Sequence, residues 1–92
     1  MAASKSLFHG PEFDALQARL RTARAAVDET RAAYQSGRRE LRQARPVLDA
    51  VAQRAARQHV LVLRVAWEDA KRDHRAAQAA LHLYLREHMA RQ

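Results

Sequence analysis

Residues 13–48 read FDALQARLRTARAAVDETRAAYQSGRRELRQARPVL, and apolar or small side chains recur in them every three or four residues. This first ladder runs on to residue 55, and its members are Phe13, Leu16, Leu20, Ala23, Val27, Thr30, Tyr34, Gly37, Leu41, Ala44, Leu48, Val51 and Ala55. A repeat of 3.5 residues places these side chains on one stripe of a helix, which faces a partner helix in a coiled coil. The stretch therefore predicts long helices that pack along their length.

A second ladder with the same spacing follows, and together the two ladders cover nearly the whole chain. Its members are Val60, Leu63, Trp67, Ala70, His74, Ala77, Leu81, Tyr84 and His88. The 92 residues include 21 alanines and 15 arginines but only two glycines and two prolines. Good helix formers are thus abundant and helix breakers are scarce, so we expect an all-α fold.

Two positions in the first ladder could turn the chain. Ser36-Gly37 weakens a helix, whereas Pro46 removes a backbone hydrogen bond and clashes with the preceding turn. Pro46 is the better turn, although no capping residue precedes it, because it leaves segments of about 33 and 45 residues that can pair as an antiparallel helical hairpin. A turn at Gly37 would leave much of the longer helix without a partner. We therefore predict a flexible tail over residues 1–10 and one domain over residues 11–92.

The two ladders are out of phase, because Ala55 and Val60 are equivalent positions only five residues apart. Near this junction residues 60–67 are apolar on almost every side of the predicted helix. We expect such a helix to be in contact with other parts of the protein or with a partner on every side. The long second helix could pack first on helix one and then on another subunit, which predicts a homodimer. Alternatively, a turn near residues 57–59 would make a three-helix bundle. The Ala-rich ladders bury little area, which also favours a homo-oligomer or a partner protein.

The charge of the chain is concentrated in its middle. The net charge is +7, and residues 31–64 hold eight arginines against only two acids, Glu40 and Asp49. Arg24, Arg31, Arg38 and Arg45 recur every seven residues in one column beside the first ladder. In an antiparallel pair the matching column of the second helix offers Arg64 and Lys71, so the hairpin does not neutralise the column. Either the column binds an acidic protein face or a nucleic-acid backbone, or it is an ordinary solvated helix face.

No pattern typical of an enzyme or a cofactor site is found in the chain. The five histidines contain no pair four residues apart, so they do not predict a metal site on one helix face. There is no cysteine, no Gly-rich phosphate loop and no serine beside a plausible base. Because no stretch is apolar enough for a signal peptide or a membrane span, we expect a cytoplasmic protein without membrane contact. The excess of Arg and Ala is typical of a GC-rich genome and suggests a bacterial or phage origin.

The aromatic and aliphatic residues of the second ladder are candidates for partner binding. Trp67 is the only tryptophan and is either a core anchor or the hot spot of an interface. The run 81–85 is more apolar than one ladder needs and is expected to extend beyond the overlap of the two helices, which would make it a docking patch. The predicted partner-binding residues are Arg24, Arg31, Arg38, Arg45, Trp67, Leu81, Tyr84 and Leu85.

In architecture alone the pattern resembles small bacterial helical hairpins, among them secretion-system co-chaperones, stalk-type coiled coils and phage-encoded inhibitors of host proteins. This resemblance carries no residue-level motif, so it transfers no site. We expect a non-enzymatic protein-protein interaction module that acts as an adaptor, co-chaperone or inhibitor through helix packing. The alternative is a basic helical protein that binds nucleic acid, whose affinity would fall steeply with salt.

Overall fold

The chain folds into two long helices that lie side by side in opposite directions. The computed structural model describes residues 10–90, which form α1 (Pro11–Ala44), a 3₁₀ turn (Arg45–Val47) and α2 (Ala50–Ala90). The hairpin measures 70 × 18 × 14 Å. The predicted all-α antiparallel hairpin with a longer second helix is confirmed, and because α2 is continuous the alternative three-helix bundle is not formed. The predicted flexible tail lies outside the described residues except for Gly10.

The turn is built by residues on both sides of Pro46. Pro46 cannot continue α1, so the chain passes through the 3₁₀ turn before α2 begins. Asp49 caps α2, since its Oδ1 accepts a hydrogen bond of 2.8 Å from the backbone N–H of Ala52. The Gln53 side chain closes the turn by donating to the carbonyl oxygens of Arg45 at 3.2 Å and Leu48 at 2.9 Å. The capping residue of the turn thus follows Pro46 in the chain and does not precede it.

The ladder of α2 begins earlier than the sequence analysis predicted. Ala52 and Ala56 are half-buried and continue the spacing of Val60, whereas Val51 is 74% exposed and Ala55 is also exposed. The assignment of Val51 and Ala55 to the first ladder is therefore wrong, and α2 has no change of phase near residues 56–60. The reason is the turn: the first ladder ends at Leu48, and α2 starts with a phase of its own.

The two helices meet along a thin seam. The buried apolar side chains are those of Phe13, Ala70, Ala77 and Tyr84. Gly37 is also buried, and a Cβ atom placed on it would lie 2.6 Å from Cδ1 of Leu63. Gly37 therefore does not break α1, and its missing side chain leaves the space that the Leu63 side chain occupies.

The apolar run at residues 81–85 does not extend beyond the overlap, so that prediction is wrong. The ring of Tyr84 lies 6.0 Å from the ring of Phe13, near the start of α1. Leu81 and Leu85 are half-buried along the same part of α2. Because α1 begins at Pro11 and runs for 34 residues, it reaches this far along its partner.

Neither helix in residues 10–90 contains a stretch that is long and apolar enough to cross a membrane.

Candidate functional site

One side of the hairpin carries a groove between the helices that is lined by positive charge. We call it the basic groove and define it by Arg31, Arg38 and Arg45 of α1 and Arg57, Arg64 and Lys71 of α2. It consists of two adjoining depressions that share Arg38: one of about 530 Å³ at mid-length and one of about 240 Å³ towards the turn. The groove therefore unites most of the arginine column predicted from α1 with the matching column of α2.

The seven-residue spacing on each helix produces this arrangement. Residues seven apart lie two helical turns apart on nearly the same side, so each set of three forms one column beside the seam. Because the helices are antiparallel, the column of α1 and the column of α2 flank the same side of the seam. Arg64 and Lys71 are the predicted matching column, and the structure adds Arg57, which lies seven residues before Arg64.

Aromatic rings form the floor of the groove at mid-length. The rings of Tyr34 and Trp67 stack across the two helices, with centroids 5.5 Å apart and planes inclined by 24°. Nζ of Lys71 lies 4.0 Å from the centroid of the Trp67 ring, and the guanidinium carbon of Arg38 lies 5.6 Å from that of Tyr34. Both distances allow cation–π attraction, which fixes two of the cations above the aromatic floor.

The groove holds far more positive than negative charge. Among residues 10–90, Glu68 is the one carboxylate that lines it, and it forms an ion pair of 3.1 Å with Lys71. Arg31, Arg38 and Arg64 form no ion pair with any carboxylate in residues 10–90, and neither do Arg45 and Arg57. The groove therefore offers a field that attracts anions and that the hairpin itself leaves uncompensated.

The other side of the seam differs in charge. There the depression near the turn is lined by Glu40 and His59, and the one nearer the open end by Arg19 and Asp73. Acidic and basic side chains thus alternate on that side. The positive field is a property of one face and does not simply follow from the +7 charge of the chain.

Trp67 carries an unusual feature beneath the groove. Its Nε1 atom is buried and has no hydrogen-bond partner in the described part of the chain. A buried donor without a partner typically reduces stability by about 1–3 kcal/mol. The contribution of Trp67 to the hairpin therefore comes from its ring, which contacts Tyr34 and Lys71.

The remaining predicted partner-binding residues lie outside the groove. Arg24 is exposed and belongs to the arginine column of α1. The next position in the column of α2, seven residues after Lys71, is Gln78, so Arg24 has no cation opposite it and lies beyond the end of the groove. Tyr84 is 8% exposed and lies against Phe13, which makes it a core residue of the hairpin. Leu81 and Leu85 are only partly accessible.

A second, apolar surface lies on the side of α2 that faces away from α1. Leu61, Val62 and Val65 are exposed over 51%, 66% and 57% of their surfaces. Val60 and Leu63, by contrast, are half-buried towards α1. The structure thus explains why residues 60–67 are apolar all round: one set packs in the hairpin and the other is presented outside it.

Two of the histidines in residues 10–90, His74 and His88, take part in the packing of the hairpin. Nδ1 of His88 lies 2.8 Å from the carbonyl oxygen of Tyr84, and its ring stacks on that of Tyr84 with centroids 3.9 Å apart. His74 is half-buried in the seam. In residues 10–90 no three side chains of the His, Cys, Asp and Glu types form a cluster that could hold a metal ion.

The chain matches no protein-family model, and no curated protein and no solved structure is significantly similar to it.

Proposed function

We propose that this protein is a non-enzymatic protein-protein interaction module that binds an acidic partner in the basic groove, as an adaptor, co-chaperone or inhibitor. The observation that supports it is the convergence of six cations from two helices over the stacked rings of Tyr34 and Trp67. Arg, Trp and Tyr are the residue types that most often dominate the binding energy of protein interfaces.

The hairpin does not need this charge for its own fold. The cations are on the flank of the seam, and within residues 10–90 the arginines among them have no ion pair. Like charges on facing helices repel, so the arrangement is neutral or unfavourable for folding unless an anion joins it. An acidic partner would convert this repulsion into charge-assisted contacts and would be steered towards the groove.

The test is affinity capture with three forms of the chain, after digestion of nucleic acid in a bacterial lysate. The groove variant replaces Arg31, Arg38 and Arg64 with Gln. The control variant removes the same charge from exposed positions outside the groove, Arg21, Arg39 and Arg86. We expect an acidic protein to be retained by the original chain and by the control, and to be lost with the groove variant.

Two outcomes would contradict the proposal. If all three forms retain the same proteins, the groove is not the binding surface. If capture by the original chain disappears on nuclease treatment, the partner is a nucleic acid, which is the alternative function.

A further inference from the structure

The spacing of the charges along the basic groove carries information about the shape of the partner. Successive cations in each column are seven residues apart, which corresponds to about 10.5 Å along the helix axis. Arg31, Arg38 and Arg45 repeat this interval on one side of the groove. Arg57, Arg64 and Lys71 repeat it on the other side. A partner that neutralises both columns needs two rows of anions with the same interval.

An α-helix supplies such rows when carboxylates recur every seven residues. Two such rows, one on each side of an apolar stripe, would face the two columns while the stripe covers the floor. The floor has apolar and aromatic surface to receive it, from Tyr34 and Trp67 at mid-length and from Leu41 and Val60 towards the turn. A helix laid in this groove is a common mode of peptide recognition, with contacts repeating along one helical face.

Duplex nucleic acid does not require the seven-residue interval of the columns. It carries a negative charge for about every 1.7 Å of its axis, so its charge is nearly continuous on the scale of the 10.5 Å interval. It would also leave the aromatic floor uncovered, because the rings of Tyr34 and Trp67 face each other and are not free to stack on bases.

A second copy of this chain does not match either. The ten acidic residues of the sequence contain no two that are seven positions apart. No helix of a second copy can therefore place a carboxylate opposite successive cations of a column. A helix of a second hairpin is therefore a poorer match for the groove than a helix whose carboxylates recur every seven residues.

On the basis of the proposed function, we infer that the basic groove binds one amphipathic α-helix of another protein, with carboxylates at seven-residue intervals on both sides of an apolar stripe. This helix turns the two-helix hairpin into a three-helix assembly, with helix axes about 8–10 Å apart.

The test uses two synthetic peptides that lack tryptophan and have the same composition and net charge. In the first, glutamates recur every seven residues on both sides of a leucine stripe. In the second, the glutamates are permuted away from that interval while the leucine stripe and the helix content are kept. Because Trp67 is the only tryptophan and lies in the groove floor, its fluorescence reports binding of either peptide.

We expect the first peptide to bind at least tenfold more tightly than the second. Replacement of Arg38 and Arg64 with Gln should lower the affinity for the first peptide by about tenfold or more. Replacement of Arg21 and Arg39 with Gln should leave that affinity unchanged. A duplex DNA of equal charge, measured at the same salt concentration, should bind more weakly than the first peptide.

The outcomes separate this inference from the proposed function. If the two peptides bind the original chain equally well and both lose affinity for the groove variant, the inference about helical spacing is wrong. The proposal of an acidic protein partner then still stands. Tighter binding of DNA than of either peptide overturns both. Binding of neither peptide overturns the inference, and the capture experiment then decides the proposed function by itself.

Discussion

Tyr34 and Trp67 stack across the two helices of the hairpin with ring centroids 5.5 Å apart, and this pair joins the seam to the basic groove. One side of the pair belongs to the packing between α1 and α2, and the other carries the cations of Lys71 and Arg38. The packing of the hairpin and the proposed binding surface therefore meet at these two rings.

Replacement of Trp67 with Ala should lower the free energy of unfolding by about 2–3 kcal/mol, less than a fully buried tryptophan would lose. Trp67→Phe should lower it by less than about 1 kcal/mol, because a ring contact with Tyr34 remains and the buried N–H without a partner is removed. Urea unfolding followed by circular dichroism measures both. Equal losses in the two variants would show that the stack does not stabilise the hairpin.

Gly37 should tolerate no bulky side chain. In Gly37→Val the new Cβ atom would lie 2.6 Å from Cδ1 of Leu63, so the Leu63 side chain must move or the helices must separate, and overpacking of this kind costs about 1–3 kcal/mol. Ser36→Val, at an exposed neighbouring position, is the matched control and should change stability little. Thermal unfolding of both variants gives the comparison, and similar midpoints would rule out close approach at Gly37.

Asp49→Ala should destabilise the hairpin by about 1 kcal/mol, because the first turn of α2 loses the hydrogen bond to the N–H of Ala52. Asp49→Ser keeps an acceptor at the cap and should recover most of this loss. The measurement is again the free energy of unfolding in urea. A serine variant as weak as the alanine variant would mean that the cap does not operate in solution.

The groove variant, in which Arg31, Arg38 and Arg64 are replaced with Gln, should remain folded. Exposed charges contribute only about 0–1 kcal/mol each, and loss of the contact between Arg38 and the Tyr34 ring opposes the relief of repulsion, so stability at low salt should change by no more than about 1 kcal/mol. Circular dichroism against temperature, at low and high salt, tests this. Unfolding of the variant would show that the cations hold the hairpin together and are not reserved for a partner.

Self-association through the outer face of α2 stays a prediction. If Leu61, Val62 and Val65 meet a second copy, the mass by light scattering should be that of a dimer at micromolar concentration. Val62→Asp with Val65→Asp should then give monomers of unchanged helix content, because both positions are exposed in the hairpin and a charge in an apolar contact is unfavourable. The original chain remaining a monomer would contradict the prediction. Leu81→Glu is a poorer test, since Leu81 is half-buried in the hairpin itself.

The helices and their pairing could be predicted because they depend on local patterns. The 3.5-residue repeat and the abundance of Ala and Arg specify long amphipathic helices, and Pro46 marks where the first of them ends. The arginine column could be predicted for the same reason, since a seven-residue interval is visible in the sequence without any knowledge of the partner helix. The assignment of Val51 and Ala55 to the first ladder was wrong because the local pattern is ambiguous. Both residues fit the spacing of that ladder, although the ladder ends at Leu48.

The sequence by itself determined the class of fold, the length of the helices and the charge of each helix face. The tertiary structure decided the register in which the predicted faces meet. The register of the hairpin is set by long-range contacts such as those of Gly37 with Leu63 and Phe13 with Tyr84, which no periodicity within one helix reports. That register buries Tyr84, which had been expected on the surface, and places Arg57 beside Arg38 and Arg45 in one depression. The basic groove depends on this register because two columns on separate helices form one site only when the helices align them.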